Sequence, residues 1–324
     1  MKIVRTVLGD IDPFLLRHTQ CHEHIFIEKD RSAEINEVLQ IDDFDKSVSE
    51  LMRYRQAGGL SVVDAQPVMA GRMAEWLRDA AKKANVNIIA STGFHKTIFY
   101  YYHSYIFSWP EEKIMDLYTN EILSGMISSR TEGYTDTTIR AGIIKTAVDS
   151  GGVKADKNYQ KLHTAAAQAQ RRTGAPVMCH MEKGADVEEV LNFYLDLGVP
   201  ADRLWLAHLD KGHYDFGLHK QILSTGVYLE YDTIAREKNH SDEDEIALIK
   251  MMTDAGYEDQ ILISLDTTRA RMAEYGGKLG LDYIIKTFIP KMKDAEISED
   301  IIEKFTIGNP AEALAIEENL LMQE

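Results

Sequence analysis

The sequence predicts an α/β protein built as a (β/α)8 barrel, the TIM-barrel architecture. Short β-branched runs alternate with longer amphipathic stretches, there are eight such runs, and no proline-rich or low-complexity linker divides the 324 residues. Near-continuous apolar strands that each precede a helix are typical of a parallel sheet covered by helices. We therefore expect residues 1–324 to form a single domain, because α/β barrels of this length commonly do so.

The first predicted strand is QCHEHIFI, residues 20–27, in which His22 and His24 stand at alternate positions. Residues i and i+2 of a strand face the same side, so the two imidazoles should converge. A doubly wound open sheet is the alternative, but it would favour a glycine-rich phosphate turn here, and CHEHIF is not one. The other seven strands are predicted at residues 58–66, 85–94, 139–148, 174–181, 203–210, 226–233 and 260–268.

Amphipathic helices are predicted between the strands. One covers residues 74–85, and those at residues 158–174, 186–198 and 242–256 each finish on a glycine. Glycine adopts the left-handed backbone conformation that commonly ends a helix. The repeated order of strand, helix and glycine supports the barrel.

Charge and composition narrow the class of partner. The formal net charge is −16, which argues against nucleic acid or an anionic membrane, since both attract basic patches. The two cysteines, Cys21 and Cys179, belong to no CxxC pattern, so we expect no disulfide framework and a reducing compartment. The N-terminal residues lack the apolar core of a signal peptide. We therefore expect a soluble cytoplasmic protein.

Polar residues recur at the carboxyl ends of the predicted strands, where barrel enzymes build their active sites. A lone histidine there is commonly a hydrogen-bonded core residue, but six coincidences at one end of one barrel predict a metal centre. The six candidates are His22, His24, Lys145, His180, His208 and Asp266.

Lys145 lies within the apolar segment AGIIKTAV, where an ammonium group is costly to bury. Two interpretations remain open. The amine could pair with a carboxylate, or burial could lower its pKa so that the neutral amine reacts with CO2. The resulting carbamate has two anionic oxygens that can bridge two metal ions.

The motif set resembles the amidohydrolase superfamily, in particular its phosphotriesterase branch, which includes lactonases. The resemblance spans nearly the whole chain and rests on TVLGDID, QCHEHIFI, IRAGIIKTA, VMCHMEKG, LAHLDKG, ISLDTT and IGNPAEAL, in that order. Cys21 stands where threonine is common, LAHLDKGHYD replaces a glycine-histidine opening, and the loop GFHKTIFYYYHSYIFSWP is distinctive. These departures do not change the candidate metal ligands. They bear on which substrate the protein binds.

The resemblance implies a binuclear metal-dependent hydrolase. His22, His24 and Asp266 would hold the more buried ion, and His180 and His208 the more exposed one. Carboxylated Lys145 and a hydroxide would bridge two divalent ions, with zinc expected first and manganese or cobalt as alternatives. The hydroxide would attack a carbonyl or phosphoryl centre, and Asp266 would carry the proton as general base and acid. Asp266 could instead simply cap the following helix.

The expected reaction is the opening of a sugar lactone, and a phosphate group on that lactone is suggested by basic residues near the predicted mouth. These are Arg236, Lys238, Arg269 and Arg271, with Lys96 as a further contributor. Arginine favours bidentate phosphate contacts. The alternative is that these residues are solvated or paired with Glu237, Asp242 and Glu274. Competing functions are a phosphotriesterase-like or amide- or ester-cleaving hydrolase with the same site, and a metal-binding protein without catalysis.

Two further groups have open interpretations. Tyr100, Tyr101 and Tyr102 could line the pocket, lie in the core or form a homodimer contact. The remaining histidines are interpreted as surface or core residues, with His95 the one that merits closer inspection: His18, His95, His103, His163, His213, His219 and His240.

Overall fold

A computed structural model describes residues 1–128, 138–211 and 215–321. Its central feature is a sheet of eight parallel strands in which each strand pairs with its neighbour along the chain. The predicted (β/α)8 barrel is therefore confirmed. Its strands are β3 (Thr19–Glu23), β4 (Ser61–Asp64), β5 (Asn87–Gly93), β6 (Ile143–Val148), β7 (Val177–Met181), β8 (Leu204–Ala207), β9 (Tyr228–Tyr231) and β10 (Ile261–Ile263).

A small antiparallel sheet of β1 (Lys2–Thr6), β2 (Gly9–Ile11) and β11 (Ile316–Glu317) accompanies the barrel. Val4 of β1 and the nearby Leu16 and Leu314 pack into the same buried cluster as the inward-facing barrel residues. Apolar side chains thus fill the barrel interior below the polar strand ends, as expected for a packed barrel rather than a pore.

Helices surround the sheet. They are α1 (Arg31–Ile35), α2 (Phe44–Ala57), α3 (Ala74–Ala84), α4 (Tyr105–Ser108), α5 (Glu111–Leu123), α6 (Lys157–Thr173), α7 (Val187–Asp196), α8 (Phe216–Leu223), α9 (Asp242–Asp254), α10 (Ile289–Asp294), α11 (Glu299–Glu303) and α12 (Asn309–Leu314). The end of α6 follows the prediction, because Gly174 adopts a left-handed φ of 70°. No helix of the described ranges is both long and apolar enough to cross a membrane.

Glu23 joins the first and last barrel strands. Its buried carboxylate accepts hydrogen bonds from Ser264 Oγ at 2.8 Å, Leu265 N at 2.9 Å and Thr267 N at 3.0 Å. Asp266 N also donates to the carbonyl oxygen of His22 at 3.0 Å. A buried carboxylate is stable only with such partners. Glu23, which alternates with the two histidines, therefore holds β3 against the chain that follows β10.

The predicted strand segments extend beyond the strands at their carboxyl ends. β3 ends at Glu23, so His24 lies one residue past the strand, and His208 and Asp266 follow β8 and β10. The ladder between β3 and β4 shifts register between Gln20 and Glu23, and pairing resumes with Glu23 opposite Asp64 at the end of both strands. The candidate ligands therefore lie partly on the strands and partly in the loops that follow them.

Candidate metal centre

The structure brings the six predicted ligand residues together at the carboxyl end of the barrel. His22 Nε2 lies 3.0 Å from Lys145 Nζ and 3.9 Å from Asp266 Oδ1. His24 Nε2 lies 3.4 Å from the same Asp266 oxygen. These four side chains come from β3 and the residue after it, from β6 and from the segment after β10, and they form one half of the cluster.

His180 and His208 form the other half. His180 Nδ1 and His208 Nε2 lie 2.7 Å apart, and the rings of His208 and His22 have centroids 4.8 Å apart. His180 belongs to β7, whereas His208 follows β8. The His22 ring thus adjoins both halves.

His208 and Asp266 have positive φ angles of 71° and 48°. Non-glycine residues adopt this left-handed region at an energetic cost, and such residues concentrate at functional sites. His208 directly follows β8 and Asp266 lies three residues past the end of β10, so both unusual backbone conformations occur at the carboxyl end of the barrel.

Lys145 is fully buried, with an exposed fraction of 0%. Burial lowers its pKa to about 8. Its Nζ contacts Met178 Sδ at 3.2 Å, and no carboxylate of the described ranges pairs with it within salt-bridge distance. Asp266, Glu230 and Asp232 partly oppose the fall in the Lys145 pKa, but none of them forms a direct ion pair with the amine in that part of the chain.

Asp266 pairs with Arg236, whose Nη2 donates to Oδ2 at 2.7 Å. Burial would raise the pKa of Asp266, but the Arg236 guanidinium and the His24 hydrogen bond hold that pKa well below its usual range. Asp266 is consequently an ionised carboxylate, able to bind a cation or accept a proton.

Two acidic residues of the centre were missed from the sequence, Glu230 of β9 and Asp232, which directly follows that strand. His22 Nδ1 lies 3.3 Å from Glu230 Oε2 and 3.2 Å from Asp232 Oδ2, and His208 Nδ1 lies 2.6 Å from Asp232 Oδ1. Carboxylates at Nδ1 orient an imidazole so that Nε2 faces a metal. The signal was present: YLEYD puts two acids at alternate positions across the end of the seventh barrel strand, as in the HxH pair.

Among these side chains, His22, His24 and Asp266 are spaced as ligands of one metal ion. Two ligands that each lie about 2.1 Å from one ion are about 3.0–3.9 Å apart. The spacings of His22 and His24 to Asp266, 3.9 and 3.4 Å, fall in that range. Imidazole and carboxylate donors suit zinc, manganese or cobalt.

A second buried group behind the centre behaves differently. His240 Nε2 lies 2.6 Å from Thr233 Oγ1 and 2.9 Å from Glu245 Oε2, and Thr233 Oγ1 donates to Asp210 at 2.7 Å. These are hydrogen-bond distances, and the Thr233 hydroxyl donates to Asp210 within the group. The group therefore links the ends of β8 and β9 to α9 as a hydrogen-bonded network.

Three of the four basic residues predicted at the mouth line one cavity of about 430 Å³. They are Arg236, Lys238 and Arg271; Arg269 is not among its lining residues. Because Arg236 also contacts Asp266, this cavity adjoins the candidate centre. Lys96 instead pairs with Glu182 at 2.6 Å.

Of the three predicted acidic partners, Glu237 lines the same cavity, and the other two are engaged elsewhere. Asp242 pairs with Lys291 at 3.0 Å, and Glu274 lies 3.6 Å from Arg53. Arg271 Nη2 donates to the Ile234 carbonyl at 2.5 Å. The positive charge at the cavity is therefore largely uncompensated by Asp242 and Glu274.

The remaining tyrosines and histidines are distributed between core and surface. Tyr100 is buried, whereas Tyr101 and Tyr102 are 37% and 89% exposed. His18, His163, His219 and His240 are buried, His103 is exposed, and His95 is half-buried beside the centre. His213 lies outside the described residues.

Comparisons with known proteins bear on the whole chain. A model of the phosphotriesterase family matches residues 2–314. The phospho-furanose lactonase of Mycoplasmopsis synoviae (strain 53) is 32% identical over 331 aligned positions, covering 98% of this chain and 93% of that protein. The crystal structure of an amidohydrolase from Mycoplasma synoviae matches with a TM-score of 0.91 at 29% identity, covering 98% of this chain and 93% of that one. A lactonase from Listeria monocytogenes matches with a TM-score of 0.89 at 28% identity, covering 98% and 100%.

Proposed function

The chain belongs to the phosphotriesterase family and is a hydrolase of that family, and from this premise we propose that it is a binuclear metal-dependent lactonase. The proposed substrate is a sugar lactone that carries a phosphate group. We further propose that residues 1–324 act as one domain in the cytoplasm. Relatives named as lactonases over nearly the full length support the lactone in preference to other esters.

One observation carries the proposal: the six candidate ligands converge next to a cavity lined by three basic residues, and one of these, Arg236, donates to the candidate ligand Asp266. A cation centre acts on a carbonyl, and a basic cavity next to it holds an anionic group at a fixed distance. A phosphorylated lactone offers both features in one small molecule.

We assign His22, His24 and Asp266 to one ion and His180 Nδ1 and His208 Nε2 to the other. When bound, two divalent cations would lower the pKa of water between them and polarise a substrate carbonyl. Glu230 and Asp232 would fix the imidazoles of His22 and His208 with Nε2 toward the ions.

Lys145 would contribute as a carbamate. The neutral amine forms an N–C bond to CO2 and releases one proton, which leaves an anion with two oxygens. Burial of Lys145 favours this reaction because it lowers the amine pKa to about 8. The anion also brings negative charge to a position where an ammonium group would repel cations.

Asp266 would move the proton. During the attack of water on the lactone carbonyl, its carboxylate accepts the proton from the attacking oxygen. When the ring C–O bond breaks, Asp266 returns that proton to the leaving ring oxygen, which becomes a hydroxyl group. Water is consumed, and the product is a hydroxy acid that keeps its phosphate.

The experiment is an assay of purified protein, reconstituted with zinc, manganese or cobalt in bicarbonate. The panel contains γ- and δ-lactones with and without a terminal phosphate, a neutral aryl phosphotriester and simple amides and esters. We expect the highest kcat/KM for a phosphorylated lactone. Faster turnover of the triester or of an amide would replace the lactonase proposal with the corresponding hydrolase. Bound metal without any hydrolysis would indicate a non-catalytic metal-binding protein.

A further inference from the structure

His95 lies in the segment GFHKT directly after β5 and outside the ligand set. Its ring is parallel to that of His24, with an interplanar angle of 5° and a centroid separation of 6.5 Å. The His180 ring lies 5.5 Å away, and Phe99 packs edge-on at 4.7 Å. His95 therefore adjoins one candidate ligand from each half of the centre.

A backbone contact fixes the tautomer of His95. The Lys96 N–H donates to His95 Nδ1 at 2.7 Å. An amide N–H can only donate, so Nδ1 must accept with its lone pair and the ring hydrogen must lie on Nε2. A ring in this state has no free lone pair at Nε2, so it can neither take up a proton there nor bind a metal ion.

The Nε2–H group of His95 is left for a different partner. Within the described ranges no side chain or carbonyl accepts a hydrogen bond from this group. The Nε2 atom is also not fully buried, since it does not belong to the buried polar atoms without a partner. The side chain is half-buried. A fixed hydrogen-bond donor with an accessible N–H therefore stands beside the centre.

We infer that His95 donates a hydrogen bond from Nε2 to the carbonyl oxygen of the bound lactone. This inference rests on the proposed lactonase function. As water attacks the carbonyl carbon, the C=O electron pair moves onto that oxygen, which becomes an alkoxide. When the C=O bond re-forms, the ring oxygen leaves with the proton from Asp266, and His95 transfers no proton in either step.

The fixed orientation explains why a histidine suits this position. A donor held by Lys96 N–H and packed on Phe99 needs no reorganisation when the charge develops, which is the condition for strong transition-state stabilisation. A neutral imidazole can polarise a carbonyl in this way. The His95 hydrogen bond would act on the same oxygen that the cations polarise.

The test compares three variants of the metal-loaded protein on the lactone that the wild type hydrolyses best. His95→Phe keeps an aromatic ring and removes the donor, whereas His95→Gln retains an N–H group at a similar reach. His103→Phe is the control, because His103 is an exposed histidine of the same loop that packs on Tyr101. Metal content is measured for every variant.

We expect His95→Phe to lose about 10²–10³-fold in kcat, with KM changed less than threefold and metal content unchanged. His95→Gln should recover at least tenfold of that loss, and His103→Phe should match the wild type. A kcat for His95→Phe within threefold of wild type, equal loss in His95→Gln, or loss of metal would each overturn the role of His95. Failure of the lactonase proposal is seen separately, as absence of lactone turnover by the wild type.

Discussion

At the level of single residues, the candidate centre depends on Lys145. An ammonium group there would be buried without a carboxylate partner among the described residues and would stand 3.0 Å from a candidate ligand nitrogen of His22. Conversion to a carbamate removes both problems, since the anion attracts cations and can accept hydrogen bonds.

Lys145→Ala removes the amine and leaves space for a small carboxylate. We expect the variant to lose most of its bound metal, measured by elemental analysis, and to regain part of it with activity in added acetate. Lys145→Met is the control, because it removes the amine but fills the space. Unchanged metal content in Lys145→Ala would remove the carbamate from the mechanism.

The rate of reconstitution should depend on pH through Lys145. With a pKa of about 8, the neutral amine is roughly a tenth of the total at pH 7 and roughly nine tenths at pH 9. At fixed dissolved CO2, recovery of activity by apoprotein should therefore accelerate about tenfold as pH rises from 7 to 9. A rate independent of pH over this range would show that the neutral Lys145 amine does not limit assembly.

At the level of secondary-structure elements, one buried ion pair holds α5 against the sheet. Arg72, which precedes α3, donates to Glu121 of α5 at 2.7 and 2.6 Å and to the Ser91 carbonyl of β5 at 2.8 Å. Glu121 Oε1 in turn accepts from Ile127 N at 2.9 Å. Both side chains are nearly fully buried. The pair thereby fixes the chain that leaves α5 in the direction of β6 and Lys145.

Arg72→Met should lower the free energy of unfolding by about 3–5 kcal/mol, because it leaves the Glu121 carboxylate buried without its counter-ion. Urea titration provides the measurement. The double variant Arg72→Met/Glu121→Leu should recover a large part of this loss, since neither charge remains. Lys83→Met breaks an exposed pair with Asp45 and should leave the midpoint unchanged. If the Arg72 and Lys83 substitutions lowered the free energy of unfolding equally, the structural role of the Arg72–Glu121 pair would be contradicted.

For the whole molecule, the net charge of −16 opposes the approach of an anionic substrate. Local positive charge must therefore provide the attraction, and the cavity lined by Arg236, Lys238 and Arg271 offers it. Arg236 is engaged by Asp266 and Arg271 by backbone carbonyls. Lys238 is exposed, so it can approach a phosphate without breaking such a contact.

Lys238→Gln should raise KM for a phosphorylated lactone about tenfold, equivalent to roughly 1.4 kcal/mol, and leave KM for the same lactone without phosphate unchanged. Added salt should reduce the difference between wild type and variant, because it screens an exposed charge. Steady-state kinetics at two ionic strengths gives both values. An equal rise in KM for the uncharged lactone would argue against phosphate binding by Lys238.

A homodimer remains a prediction. Tyr101 and Tyr102 expose aromatic surface beside Ile98, which is 54% exposed. Light scattering of the wild type and of a Tyr102→Ser variant would test whether this surface joins two copies.

The order of strands and helices followed from local pattern, because apolar periodicity and helix-ending glycines act over a few neighbouring residues. The same reasoning brought out His22, His24, Lys145, His180 and His208, since the carboxyl ends of parallel strands meet at one end of a barrel. The alternation rule that identified the HxH pair also applies to Glu230 and Asp232. The sequence pattern, however, does not indicate which histidine rings these two carboxylates contact.

Other features arose only when distant segments came together. Asp266 pairs with Arg236, and His95 lies between His24 and His180, although these residues are well separated in the chain. The surroundings of Lys145, which hold no directly paired carboxylate in the described ranges, are likewise formed by distant segments. Such contacts depend on barrel closure and on loop geometry to within about an ångström, and no spacing in the sequence encodes distances at that precision. Local pattern thus supplied the chemical groups, and packing set the tautomers, ion pairs and burial that give those groups their reactivity.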